Sequence, residues 1–183
     1  WLYGGLGLTE SSSEMHQVLG VHWLASEDVI CFKAALNFSP KRRNIRTEPD
    51  LIQSQVPERI PDTLTRRVVL QQVMGIFDPY GFIAPFVLLA KSYLRETWTL
   101  CLGWDDVLPE TMYNKWRTFF TSLFEVETLK FDRCMKHPQA VGNPTLILLS
   151  DGSEIAYGCA AYIRWALEDG SFWCCLVMAK CRI

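Results

Sequence analysis

Apolar positions alternate with polar ones, or cluster in short runs, near both ends of the chain, whereas in the middle they recur every three or four residues. The first pattern belongs to strands and the second to amphipathic helices. Near the start, Gln17-Val-Leu-Gly-Val-His-Trp23 and Val29-Ile-Cys-Phe-Lys33 flank the polar turn Ser26-Glu27-Asp28, which predicts a β-hairpin over residues 17–33. Gly20 interrupts the first of these strands, the mark of a bulge or of close approach by another backbone. Residues 37–61 carry no periodicity, hold Pro40, Pro49, Pro57 and Pro61, and read as a linker.

From Thr65 the spacing turns helical: Val69, Val73, Ile76 and Phe77 share one face, Thr65 caps the start, and Asp78-Pro79-Tyr80-Gly81 stops the run. A second helix is predicted from Pro85, the favoured first position for proline, to about Leu100, with Phe86, Leu89, Tyr93 and Leu94 inward. A third starts near Pro109, its stripe made of Met112, Trp116, Phe119, Phe120 and Leu123. Three such stripes bury one another, so a small helical bundle is expected. Beyond a looser stretch, residues 145–149, 157–164 and 172–179 alternate as strands of an antiparallel meander. The expected class is α+β: a hairpin segment (1–36), a linker (37–63), a bundle (64–130), a second linker (131–144) and an incomplete antiparallel sheet (145–183).

Composition narrows the function classes. A formal net charge of −2 supplies no global basic field for nucleic acid, though a local groove remains open to it. The longest apolar stretch, residues 82–90, contains Pro85 and falls well short of the roughly 20 residues a membrane span needs. Seven cysteines, an odd number without C-x-x-C spacing, read as reduced, buried thiols of an intracellular protein. Cys134 and His137 lack the second pair that zinc would require. The chain opens on Trp1 without the basic and apolar regions of a signal peptide, and reads as part of something longer. His16, His22 and His137 have no Ser or Cys partner at triad spacing, and Gly4-Gly5-Leu6-Gly7 lacks the lysine of a phosphate loop.

The chemistry-bearing residue is Asp151, in Leu149-Ser150-Asp151-Gly152-Ser153. A carboxylate at a strand end suits Mg²⁺ and phosphodiester cleavage, provided that other carboxylates converge on it. Only Glu154, Glu168 and Asp169 follow it, so the bland alternative is a turn cap shared with Gly152 and Ser153. Lys41, Arg42, Arg43 and Arg46 form a basic cluster that suits either phosphate contacts or a solvated linker.

Three stretches stand out: Gln17-Val-Leu-Gly-Val-His-Trp23 with Phe32-Lys33; the run from Leu64 to Pro85, including Ile-Phe-Asp-Pro-Tyr-Gly-Phe-Ile-Ala-Pro; and Ser150-Asp-Gly-Ser153 with Ala156-Tyr-Gly158 and Ala179-Lys180. Together they resemble the pol polyprotein of BEL/Pao-type retrotransposons. Trp104-Asp-Asp-Val-Leu-Pro-Glu110 strengthens the match. The resemblance implies a primer-grip-like hairpin at 17–33, a thumb- and connection-like region at 64–124, and the opening strands of a ribonuclease H domain at 145–183. It further implies that Asp151 descends from the first metal-binding carboxylate, that Gly20 and Trp23 help position a primer end, and that Arg66, Arg67, Gln71 and Gln72 face a template–primer duplex. The complete parent would use Mg²⁺, bind RNA–DNA or DNA duplexes and work with the remainder of the polyprotein. This chain itself holds no Tyr-x-Asp-Asp signature and is expected to be non-catalytic and to need no cofactor. Alternatives from other classes are a host-retained protein-interaction module and an aspartic-peptidase-type protein, the latter at odds with the inverted order Asp151-Gly152-Ser153.

Overall fold

The computed structural model describes residues 15–18, 21–42 and 45–183. In chain order its elements are β1 (Met15–Val18), β2 (Val21–Leu24), β3 (Val29–Cys31), β4 (Lys41–Arg42), β5 (Ile45–Arg46), α1 (Val56–Arg59), α2 (Arg66–Val73), α3 (Ala84–Thr99), α4 (Glu110–Ser122), β6 (Lys130–Asp132), β7 (Ala140–Gly152), β8 (Tyr157–Leu167) and β9 (Phe172–Arg182). The α+β class expected from the pattern is the class observed.

The expected hairpin is more elaborate than its sequence suggests. β1 pairs antiparallel with β2, Val18 opposite Val21, so what reads as one strand over 17–23 is two. The turn at 26–28 joins β2 to β3, and β6 pairs on the far side of β3, giving the order β1-β2-β3-β6. Gly20, with the bulge expected there, lies outside the described residues. Residues 37–63, expected as a linker, carry short structure of their own and bury apolar side chains. Val56 of α1 and Ile60, just after it, join the core, and the Leu51 amide donates to the Leu36 carbonyl at 2.8 Å. Prolines there shape turns and, at Pro57, start a helix where no amide hydrogen is required.

The bundle follows the apolar spacing closely. Thr65 caps α2, its hydroxyl accepting from the Val68 amide at 3.3 Å. Met112, Trp116, Phe119 and Phe120 of α4 are buried together with Leu123, and Phe86 of α3 stacks on Phe119 with ring centroids 4.6 Å apart. Two phases differ from expectation. α2 ends at Val73, leaving Phe77 exposed, and α3 turns Ala90, Leu94 and Thr97 inward while Leu89 faces out.

The second sheet has the order β7-β8-β9, and β7 starts at Ala140, within the stretch expected to be a linker. Its seat on the bundle is the corner Asp78-Pro79-Tyr80-Gly81. The Asp78 carboxylate accepts from the Phe82 and Ile83 amides at 2.9 and 3.0 Å, ordering the entry to α3. The Ala179 amide of β9 donates to the Tyr80 carbonyl at 2.8 Å, and the Cys181 thiol donates to the Ala84 carbonyl at 3.3 Å. Gly81 has φ of +74°, and a Cβ there would lie 1.8 Å from the Ala179 oxygen. β7 gains much less cover: Leu146 and Leu148 are 61% and 71% exposed, and its outer edge has no strand partner among the described residues.

Replacing Gly81 by alanine therefore combines left-handed backbone strain with a backbone clash. We expect Gly81→Ala to lower unfolding free energy by more than about 2 kcal/mol. Urea melts of the variant and parent test it, and equal midpoints would refute the close approach.

Candidate functional site

Asp151 is the penultimate residue of β7, where an apolar strand run gives way to Gly152 and Ser153. Its side chain is exposed, and its Oδ1 accepts from the Gly152 amide at 2.8 Å. The register aligns Asp151, Gly158 and Cys181 in one cross-strand row, which puts the carboxylate on the sheet face turned toward the start of α3. Gly158 contributes no side chain, so the row is open from one edge strand to the other. A hollow of about 450 Å³ lies between this end of the sheet and Ala84, Pro85 and Leu88 of α3. A second, of about 640 Å³, adjoins Ser150, Lys180 and Arg182. Asp151 is the one acidic residue lining either of them.

Two divalent ions held about 4 Å apart need several carboxylates converging from different elements. Among the described residues no group of three or more His, Cys, Asp or Glu is arranged to hold a metal ion. The donor set here therefore does not fit a two-metal centre. Two aspartates sharing a proton, the requirement for aspartic-peptidase chemistry, are equally missing from the two hollows.

The basic residues expected to meet a duplex fall into different environments. Arg66 is 6% exposed, and its Nη2 donates to the carbonyls of Thr97, at 3.0 Å, and Leu102. Its guanidinium lies 4.5 Å from the Trp98 ring centroid and 5.5 Å from that of Trp104. It is a clamp on the C-terminal end of α3, where backbone carbonyls lack helical partners, and it offers no face to a phosphate. Gln72 is also inward: its amide oxygen accepts from the Asn37 amide and its nitrogen donates to the Asn37 carbonyl, each at 2.9 Å, as a strand neighbour would. Both assignments to a duplex-facing side are thus corrected. The helical phase placed them there, but their partners lie 31 to 36 residues away and leave no local signal.

Arg67 is exposed and forms a two-pronged pair with Asp105 at 2.7 and 2.9 Å. That hydrogen bonding holds the Asp105 carboxyl below the usual carboxylate range and raises Arg67. The Arg67 amide also donates to the Trp104 carbonyl at 3.0 Å. The Arg-Arg and Trp-Asp pairs of the sequence thus meet as one clamp. Lys41 and Arg42 lie in β4, Lys41 opposite Arg46; Arg43 is outside the described residues. Arg46 donates to the Asn37 and Ser39 carbonyls. Trp23 donates to Asp28 Oδ1 at 3.0 Å and lies beside the Arg133 guanidinium, tying the first sheet together.

Four cations have no role assigned by the sequence pattern: Lys91 and Arg95, four residues apart on α3, and Lys180 and Arg182, alternating at the end of β9. Their i, i+4 and i, i+2 spacings are the signals that mark each pair as sharing a face. The seven cysteines are all free, but only Cys31 is buried; Cys101, Cys134, Cys159 and Cys174 are exposed, which corrects their assignment to the interior. They sit on the lightly covered sheet and in loops, where an apolar run does not imply burial.

Two outcomes are expected. Arg66→Gln lowers unfolding free energy by about 2–4 kcal/mol, because it removes a charged, buried donor from the Thr97 and Leu102 carbonyls, whereas Arg67→Gln leaves the urea midpoint nearly unchanged, as for exposed pairs generally; equal midpoints for the two variants would dismiss the clamp. The Asp28 carboxyl is held low chiefly by its hydrogen bond to Arg133. Its stabilisation is present above the ordinary carboxylate range and fades as pH falls through its lowered one, so acid melts of Asp28→Asn should be flatter than the parent's below about pH 4.

Comparison with known proteins adds one match. The family model described as the Pao retrotransposon-like RNaseH-like domain matches residues 65–183, through bundle and second sheet alike. No curated protein and no solved structure matches. No helix among the described residues is long and apolar enough to cross a membrane. With well over half its length covered by that model, and Asp151 at the end of the first strand of the β7-β8-β9 sheet, the chain belongs to the Pao retrotransposon-like RNaseH-like domain family and represents a region of a retrotransposon pol polyprotein.

Proposed function

We propose that this chain is a non-catalytic part of a retrotransposon pol protein whose complete form copies RNA into DNA and hydrolyses the RNA strand. In this reading it supports duplex handling, with RNA–DNA hybrid or DNA duplex and the remainder of the polyprotein as its partners. Asp151 keeps the position of a first metal-binding carboxylate without the companions that would make it a site. The observation that carries the reading is the solitary state of Asp151 within both adjoining hollows. Mg²⁺ gives up its waters only to several charges or to substrate phosphates, so a single exposed carboxylate holds it weakly. Seven unbonded thiols, four of them exposed, suit a reducing compartment.

The direct test is cleavage of an RNA–DNA hybrid in Mg²⁺ by the parent chain and by Asp151→Asn. Neither is expected to cut above the protein-free background. Cleavage by the parent that disappears in the variant would establish an active site and overturn the reading.

A further inference from the structure

The two faces of the β7-β8-β9 sheet differ. Cys181 points at α3, where its thiol meets the Ala84 carbonyl, so its neighbours Lys180 and Arg182 project from the opposite face. On that face the ladder sets Cys159 directly across from Lys180, with Ser150 on its other side, and Tyr157 across from Arg182 in the next row. Arg182 is thereby the diagonal neighbour of Cys159. Directly opposed side chains start about 5 Å apart and diagonal ones about 7–8 Å, both within reach of a lysine or an arginine. The Cys159 thiol therefore stands on the central strand with two cations along one side. Among the described residues, the ion pairs engage Arg59, Arg67, Lys115, Lys130 and Arg133, and neither Lys180 nor Arg182.

This end of the face is open. Cys159, Lys180 and Arg182 are exposed, and around them Leu148, Tyr157 and Met178 are 71%, 57% and 50% exposed. The hollow of about 640 Å³ lined by Ser150, Cys159, Lys180 and Arg182 falls in the size range that takes small ligands. Asp151 also borders it, but its carboxylate belongs to the Asp151, Gly158, Cys181 row on the α3 face. A cleft of about 380 Å³ along the edge of β9 lies between the two cations and Lys91 of α3. The other thiols are placed differently. Cys31 is buried, Cys181 is turned to α3, and the Cys175 thiol meets the Met135 carbonyl. Cys101 and Cys134 lie in loops, the Cys134 thiol donating to the Lys136 carbonyl at 3.4 Å. Cys174 opposes one cation, Arg164, whose guanidinium lies over the Phe172 ring at 4.7 Å.

We propose that Cys159 is a site of reversible mixed-disulfide formation with a small anionic disulfide of the glutathione class, whose carboxylates Lys180 and Arg182 hold. The Cys159 thiol gives its proton to solvent, and the thiolate sulfur attacks one sulfur of the disulfide. A new S–S bond forms as the old one breaks, and the other half leaves as a thiolate that takes a proton from solvent. The protein sulfur is oxidised and the departing sulfur reduced, so no further oxidant is needed. The two cations act by raising the local concentration of the anion over the open face and by holding its carboxylates while the sulfurs meet. Excess thiol reverses the step by the same exchange. The site is separate from duplex handling.

The test is reaction of the reduced chain with limiting oxidised glutathione and, in parallel, with the neutral bis(2-hydroxyethyl) disulfide, each adduct located by peptide mass mapping. With oxidised glutathione the first adduct is expected at Cys159, and Cys159→Ser should lose it. Lys180→Gln/Arg182→Gln, confirmed folded by its thermal melt, is expected to react at Cys159 at least about fivefold more slowly with oxidised glutathione, while its rate with the neutral disulfide stays within about twofold of the parent's. Added salt should slow the parent's reaction with the anionic disulfide and leave that with the neutral one unchanged, a readout that needs no variant. First reaction at Cys174 or at any other thiol would overturn the site. A parent-like rate in the charge variant, equal slowing with both disulfides, or a salt-independent parent would overturn the hold of Lys180 and Arg182 on the anion.

Discussion

The arrangement of this chain depends on one backbone contact, the approach of Gly81 to Ala179. Two units with separate pairing patterns, a bundle and a three-stranded sheet, meet where β9 donates an amide to the Tyr80 carbonyl. The contact is possible only because residue 81 lacks a Cβ and takes a positive φ. Asp78 stabilises the same corner from within by accepting the first amides of the turn into α3. The corner therefore sets both the start of the helix and the seat of the sheet. Everything at the Asp151 end, including the hollow beneath α3 and the cleft along β9, inherits its shape from those four residues.

This gives the Asp-Pro-Tyr-Gly string a physical meaning separate from any chemistry. As a stop signal it ends one helical run, and as a corner it aims the next. Proline at 85 pre-sets the first turn of α3, whose first residues then face the Cys181 end of the sheet. The Trp104-Asp105 pair plays the corresponding part at the other end of α3, where Arg66 and Arg67 close the exit of the helix against the loop that follows. The specific strings of the sequence are thus joints.

Regular elements were legible where periodicity was strong and burial one-sided. α4 is the clearest case, since its whole predicted stripe is interior. The strands of the second sheet were legible by alternation, although β7 extends further back because Gly142 and Pro144 interrupt its pattern without ending it; the register shifts between Val141 and Thr145. Arg66 and Gln72 were not legible: a charged or amide side chain on an amphipathic helix reads as solvent-facing unless distant carbonyls are known to await it. Nor was the core role of Val56 and Ile60, because a four-residue helix among prolines shows no period. At the site, the sequence exposed the isolation of Asp151 directly, as a shortage of carboxylates. The reach of Lys91 to the Cys181 carbonyl needed the fold, as the two lie on a helix and a strand far apart in the chain.

The uncovered flank of β7 bears on how the molecule behaves in quantity. Among the described residues nothing pairs with its outer edge, and Thr145-Leu-Ile-Leu-Leu149 carries no charge to discourage another chain from zipping onto it. Pro144 and Asp151 bracket the run as gatekeepers, so the adhesive length is confined to a few residues. Concentrated preparations will consequently gain more from a lysine introduced at Leu148, the most solvent-facing leucine of the run, than from any change within the helices.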